Sequence, residues 1–229
     1  MTAQPNTIPA APQPKEASAP PTTPPPPKVS VQDYLESERK SRVRREYVDG
    51  EILAMAGETP THNRIARNIC VRLERAFEDR PCETFIENIR VRVTPTQYRY
   101  PDVVALCGDA HFDANKPPCL LNPTVIIEVL SPSTEAFDRE EKFIEYRQVE
   151  TVTDYVLVSQ DQILVIHYSR VTPSQWVLNV YTALTDTLTF PTLEVSLILA
   201  EVYRKINFAP SDLPETTKPS SEEGTKAGE

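Results

Sequence analysis

Thr124–Leu130 reads TVIIEVL, a continuous apolar run interrupted by one acid. Such a run suits a strand covered on both faces of a sheet, since strands buried on two sides lose the in–out alternation of half-exposed ones. The acid, Glu128, shares its strand face with Ile126 and Leu130. Burying an unpaired carboxylate is costly, so Glu128 is expected either to be paired or to bind a metal, unless it reaches water or a salt bridge at the strand end. Twenty-six residues earlier, Asp102 follows Pro101 and leads into Val103-Val104-Ala105-Leu106. Proline lacks an amide donor and favours a strand edge or start; taken alone, Pro-Asp is mostly a turn signal. Two carboxylates on adjacent strands can bind a hard divalent cation such as Mg²⁺, with a backbone carbonyl and waters completing the shell.

Downstream, the spacing predicts a helix from about Asp138 to Gln148 and a strand at Asp154–Ser159 (DYVLVS). On that helix Lys142 shares a stripe with Tyr146 and Val149, beside Phe143. A helix turns such a stripe towards its sheet. Lys142 could instead run its stem along the core and surface its amine, or pair with Asp138 one turn earlier.

Upstream, Thr59-Pro60 offers an N-cap followed by proline at the first helical position, opening a helix to about Glu78. Ile65, Ile69, Leu73, Ala76 and Phe77 recur at helical spacing, with Arg64, Arg67, Arg72 and Arg75 largely opposite. His62 lies in the first turn and projects to the apolar side, where a histidine is more often a hydrogen-bonded core residue than a catalyst. A short helix is expected at Val31–Arg39, and a hairpin at Glu46–Ala56 turning at Asp49-Gly50. Further strands are expected at Thr84–Val93, Arg99–Cys107, Ile163–Ser169 and Gln175–Tyr181, with a closing helix around Leu197–Ile206. The central order of helix, three strands, helix and strand is that of a mixed α/β sheet domain.

Composition narrows the classes. The chain has 229 residues, a net charge of −9, 23 prolines and only 5 glycines. Ten prolines fall in residues 1–30, which are expected to be a disordered Pro-rich leader, and residues 210–229 a disordered polar tail. Residues 31–209 remain as one domain. No apolar run approaches the roughly 18 residues of a membrane helix, and the N-terminus lacks a basic start followed by an apolar stretch, so the expectation is a cytoplasmic protein with no membrane partner. Cys70, Cys82, Cys107 and Cys119 form no CxxC pair and are expected to be free thiols. The overall acidity speaks against a protein that coats nucleic acid nonspecifically. Basic charge is densest at Arg39–Arg45 and on the long helix; it could hold phosphates, although such stretches are more often solvated surface. No Walker loop, GxGxxG or GxSxG motif is present.

Pro101-Asp102, then Glu128-Val129-Leu130, set in the helix–strands–helix–strand order, resembles the PD-(D/E)XK nuclease superfamily. Within it the chain is similar to a large bacterial family named "putative restriction endonucleases" and long catalogued as a domain of unknown function. The stretches that carry the resemblance are 46–68, 98–107, 126–134 and 138–159. The resemblance implies a restriction-endonuclease-like mixed β-sheet flanked by helices, and Mg²⁺- or Mn²⁺-dependent hydrolysis of DNA phosphodiester bonds. By the same resemblance Asp102 and Glu128 hold the metal, Lys142 assists, and His62 and Glu46 are auxiliary. Arg42, Arg44, Arg45, Arg64 and Arg67 would contact the nucleic acid, and nucleases of this kind often act as homodimers. The chain departs from the superfamily at Leu130, where the signature lysine should stand; Lys142 from the following helix would replace it. That departure keeps open a catalytically silent nuclease-fold protein that binds nucleic acid or serves as a scaffold. A third reading is an interaction module working through the Pro-rich leader.

Overall fold

The structure is a computed structural model that describes residues 28–55, 57–131 and 135–208. The expected disordered leader up to residue 27, the polar tail and positions 132–134 of the motif that follows Glu128 lie outside the described residues.

In chain order the elements are α1 (Val31–Glu38), β1 (Arg45–Val48), β2 (Glu51–Ala54), α2 (Pro60–Phe77), β3 (Cys82–Ile86), β4 (Arg90–Thr94), β5 (Gln97–Arg99), β6 (Val103–Cys107), β7 (Cys119–Leu120), β8 (Val125–Leu130), α3 (Glu135–Arg139), α4 (Glu141–Tyr146), β9 (Asp154–Ser159), β10 (Val165–Thr172), β11 (Gln175–Tyr181), β12 (Thr187–Phe190), β13 (Val195–Ile198) and α5 (Leu199–Val202). A six-stranded sheet has the order β11-β10-β9-β8-β6-β3; a five-stranded sheet runs β2-β1-β5-β4-β7, and β12 pairs with β13. The fold is mixed α/β, as the sequence predicts.

β8 lies at the centre, and all six of its residues are buried. Val125, Ile127 and Val129 face one way, into a core with Ile65, Ile69, Leu73 and Phe77 of α2. Ile126 and Leu130 face the other way, against Tyr146 of α4 and Tyr155 of β9. Two-sided burial is why this strand reads as an unbroken apolar run. β8 pairs antiparallel with β6 and parallel with β9, the parallel pair being joined through α3 and α4.

α2 starts where capping chemistry places it. The Thr59 hydroxyl accepts the His62 amide at 3.1 Å, and Pro60 occupies the first turn. A cap of this kind contributes about 1 kcal/mol. Asp49 and Gly50 both have positive φ, 47° and 103°, the two-residue turn that matches the twist of β1 and β2.

Several expectations need correction. The stretch 84–93 is two strands in different sheets, parted at Glu87, whose φ is 55°. The stretch 99–107 is likewise two strands, because Pro101 cannot donate a ladder hydrogen bond. The helix expected over 138–148 is divided into α3 and α4. The chain end forms the β12–β13 hairpin and only a four-residue helix, since Val195 and Leu197 alternate with exposed residues at a strand's period of two. Two of the four cysteines are not free: Cys82 and Cys107 stand opposite each other on β3 and β6 and form a disulfide. Cys70 and Cys119 are free. Among the described residues, no helix is long and apolar enough to cross a membrane.

Candidate active site

Continuing the β6–β8 register one step beyond Val103 and Ile127 sets Asp102 opposite Glu128. The Asp102 amide points to Glu128 Oε2 at 3.4 Å, and the Val129 amide donates to Asp102 Oδ2 at 2.6 Å. The break at Pro101 ends the regular ladder here and frees the Asp102 side chain for contacts outside the sheet.

Glu128 points from β8 towards α4. Its Oε1 accepts from Lys142 Nζ at 3.0 Å and from the Tyr146 hydroxyl at 3.2 Å. Lys142 also pairs with Asp138 Oδ1 at 2.9 Å, so the pairing one turn earlier is realised together with the turn towards the sheet, while the amine does not surface. The lysine is buried with an anion on either side. Burial pushes the Glu128 carboxyl above the usual carboxylate range; the Lys142 charge opposes that shift, and the Asp102 charge reinforces it. For Lys142, burial alone would lower the pKa, but Glu128, Glu46 and Asp138 together raise it above the ordinary lysine value. The amine is therefore held as an ammonium.

On the other side of Asp102, the first turn of α2 brings in His62. Its Nε2 lies 3.1 Å from Asp102 Oδ2, and its Nδ1 lies 3.6 Å from Glu58 Oε2. Burial would lower the histidine pKa, but the hydrogen bond and charge of Asp102, with Glu58 behind it, raise it overall. Nδ1 is buried and has no hydrogen-bond partner among the described residues. Ligand atoms of Glu58, His62 and Asp102 all lie within 4.8 Å of one another. A histidine set between two carboxylates, with Nδ1 orphaned on the Glu58 side and Nε2 on Asp102, is a donor set that fits a divalent cation, and the nitrogen favours Mn²⁺ relative to an all-oxygen set.

Glu46, on β1, is held by the fully buried Arg99: Arg99 Nη1 donates to Glu46 Oε2 at 2.7 Å, and the Tyr100 amide donates to Glu46 Oε1 at 3.2 Å. Arg99 also grips both carboxylate oxygens of Glu145 at 2.7 Å each. One guanidinium thus fastens α4, the helix that carries Lys142, to the strand that carries Glu46. These side chains open on a cavity of about 580 Å³ lined by Asp102, Glu128, Lys142, His62, Glu58 and Glu46, with apolar walls from Leu53, Met55 and Phe137.

The structure therefore brings together Asp102, Glu128, Lys142, His62 and Glu46. The five arginines expected at nucleic acid do not join that cluster. Arg44 donates to the Glu87 carbonyl, Arg45 pairs with Glu38 at 3.0 Å, and Arg64 donates to the Lys205 carbonyl at 3.0 Å. Arg42 and Arg67 are exposed. Glu58, Arg99 and Glu145 were not singled out by their sequence context. Glu58 stands four residues before His62 across a helix start, a spacing that does carry a signal; Arg99 and Glu145 are brought together only by tertiary packing.

Comparison with known proteins agrees with this architecture. Residues 31–201 match the Uma2 family, described as "Putative restriction endonuclease". The uncharacterized protein sll1609 of Synechocystis sp. is 33% identical over 151 residues, 66% of this chain and 85% of that protein. A second protein of that organism, slr1290, also described as uncharacterized, is 31% identical over 183 residues, 80% of this chain and 95% of its own length. A crystal structure described as a putative nuclease belonging to DUF820, from Anabaena variabilis, superposes with a TM-score of 0.60 at 16% identity, covering 74% of this chain and 96% of that one. With three quarters of its length matched to the family and two relatives above 30% identity, the chain belongs to the Uma2 family of restriction-endonuclease-like proteins.

Proposed function

We propose that the protein is a metal-dependent nuclease that hydrolyses DNA phosphodiester bonds in the cytoplasm and acts as a homodimer. The observation that carries this reading is the 3.0 Å contact between Lys142 Nζ and Glu128 Oε1. It supports the reading that a lysine from α4 stands in beside Glu128, although Leu130 occupies the signature position.

Asp102 and Glu128 would hold Mg²⁺ or Mn²⁺, with His62 and Glu58 as further donors. A bound ion would supply charge neutralisation at the scissile phosphate and a more acidic water. Lys142, kept as an ammonium by its three acidic neighbours, positions the attacking water and offsets charge developing on the phosphate. His62 carries a proton at Nε2 towards Asp102 and so fixes that carboxylate's orientation. Arg99 and Glu46 hold the frame, and the apolar walls exclude bulk water.

The test is nicking of supercoiled plasmid with Mg²⁺ and with Mn²⁺ by the wild-type chain, D102N and E128Q. Both substitutions preserve shape, and circular dichroism checks that each variant folds. The reading expects cleavage by wild type and its loss in both variants; unchanged cleavage by D102N and E128Q would sink it. Mn²⁺ or Mg²⁺ binding with no cleavage of any nucleic acid by the wild type would instead support a catalytically silent binding protein. The closed Glu128–Lys142–Asp138 cluster is the observation that favours that second reading.

A further inference from the structure

β11 is one edge of the six-stranded sheet, and its outer side has no partner strand among the described residues. An edge strand presents free N–H and C=O groups, and proteins usually blunt such edges with charge, proline, bulges or very short strands. Three other sheet edges follow that rule. The opposite edge, β3, carries Glu83; β2 begins with Glu51; β7 is two residues long. β11 itself has none of these devices; the bulge in its pairing lies on β10, between Arg170 and Thr172. β11 is seven residues long, reads QWVLNVY, and holds neither charge nor proline.

The surroundings extend the anomaly. From Val171 to Thr185 there is no Asp, Glu, Lys or Arg, in a chain that is 25% charged. Val177, Leu178 and Val180 are 42%, 51% and 53% exposed, and neighbouring Val171 on β10 is 60% exposed. Because Leu178 and Val177 point to opposite faces, apolar surface lies on both sides of the same free edge.

We propose that this edge is a self-association surface, and that its occupant is β11 of a second copy of the chain. This specifies the dimer of the proposed nuclease, while its readout is association rather than cleavage. Charge selects the occupant. Each copy carries −9, so two copies meet with least repulsion along an edge strand that holds no acid, where the nearest charge is the Arg170 guanidinium stacked on Trp176 at 4.4 Å. Geometry gives the register. An antiparallel strand edge is self-complementary about a two-fold axis, which closes the assembly at two copies. Centring that axis on the middle residue of β11 sets Leu178 opposite its own counterpart, where the Cα atoms of facing residues stand about 4.5–5.5 Å apart. That separation is within reach of a disulfide.

The experiment uses the full chain. Sedimentation velocity over a concentration series is expected to give a reversible dimer whose dissociation constant rises at least about tenfold in V177K and in V180K. Both positions are exposed, and circular dichroism with a urea melt confirms folding of each variant. L178C under mild oxidation is expected to form a covalent dimer that the unsubstituted chain, with Cys70 and Cys119 still present, does not form. Adding V177K to L178C should suppress that cross-link. A wild-type chain that stays monomeric to sub-millimolar concentration overturns the proposal, as does a dimer indifferent to V177K and V180K, or an L178C chain that does not cross-link. None of these outcomes depends on whether the protein cuts DNA.

Discussion

Glu128 sits among apolar side chains where its charge depends on one neighbour, the Lys142 ammonium 3.0 Å away. Breaking a buried ion pair by removing one partner costs about 3–5 kcal/mol, because the other charge is left uncompensated. K142M is therefore expected to be strongly destabilised, and E128Q/K142M less so than K142M. The pH dependence has a definite sign. Burial raises the folded-state pKa of Glu128 above its unfolded value, and the lysine is what opposes that rise. With the lysine gone, folded Glu128 retains its proton over a wider range than the unfolded chain does. Stability of K142M should then fall as pH rises from about 5 to about 8, more steeply than for wild type. Urea midpoints in EDTA measure this without interference from metal; a K142M midpoint flat across that range would contradict the arrangement.

Among the elements, legibility followed locality. β8 and α2 were readable because each declares its environment in a few consecutive residues: an unbroken apolar run, and a Thr-Pro cap followed by Ile65, Ile69 and Leu73 at helical spacing. The Lys142 stripe was readable in the same way, although division of the helix into α3 and α4 was not. What could not be read depends on partners distant in the chain. Arg99 gives no local sign that it will clamp Glu46 and Glu145, residues 53 and 46 positions away. The disulfide belongs here too. Cys82 and Cys107 meet only because β3 turns back along β6, a pairing hidden while 84–93 reads as one strand. The link closes a 25-residue separation and so restricts the unfolded chain, which is worth about 3.5 kcal/mol on the loop-entropy account. C82S/C107S should lose about that much in urea denaturation. Adding reductant should move the wild type to the same midpoint and leave the double variant unchanged; equal stability of both proteins without reductant would argue that the bond does not form.

At the scale of the whole molecule, the net charge of −9 sets the terms for any encounter with DNA. An acidic chain gains no general attraction to a polyanion, so binding must come from a few placed cations and must weaken steeply with salt. The structure divides the arginines by what they already hold. Arg45 donates to Glu38, whose side chain is almost fully buried, and Arg64 is committed to a backbone carbonyl. Arg42 and Arg67 are exposed and offer their charge outward. If these two contact phosphates, R42A and R67A should each weaken binding uniformly across DNA sequences, and should each reduce the slope of log K against log salt by about 0.9. R45A should behave differently: leaving Glu38 without its partner lowers thermal stability, while the salt slope stays at the wild-type value. Fluorescence anisotropy on catalytically blocked D102N protein with a short duplex, read at several salt concentrations, separates the two classes. A salt slope that falls in R45A but not in R42A or R67A would mean that the nucleic acid approaches over α1 and β1, and that the exposed arginines are solvated surface.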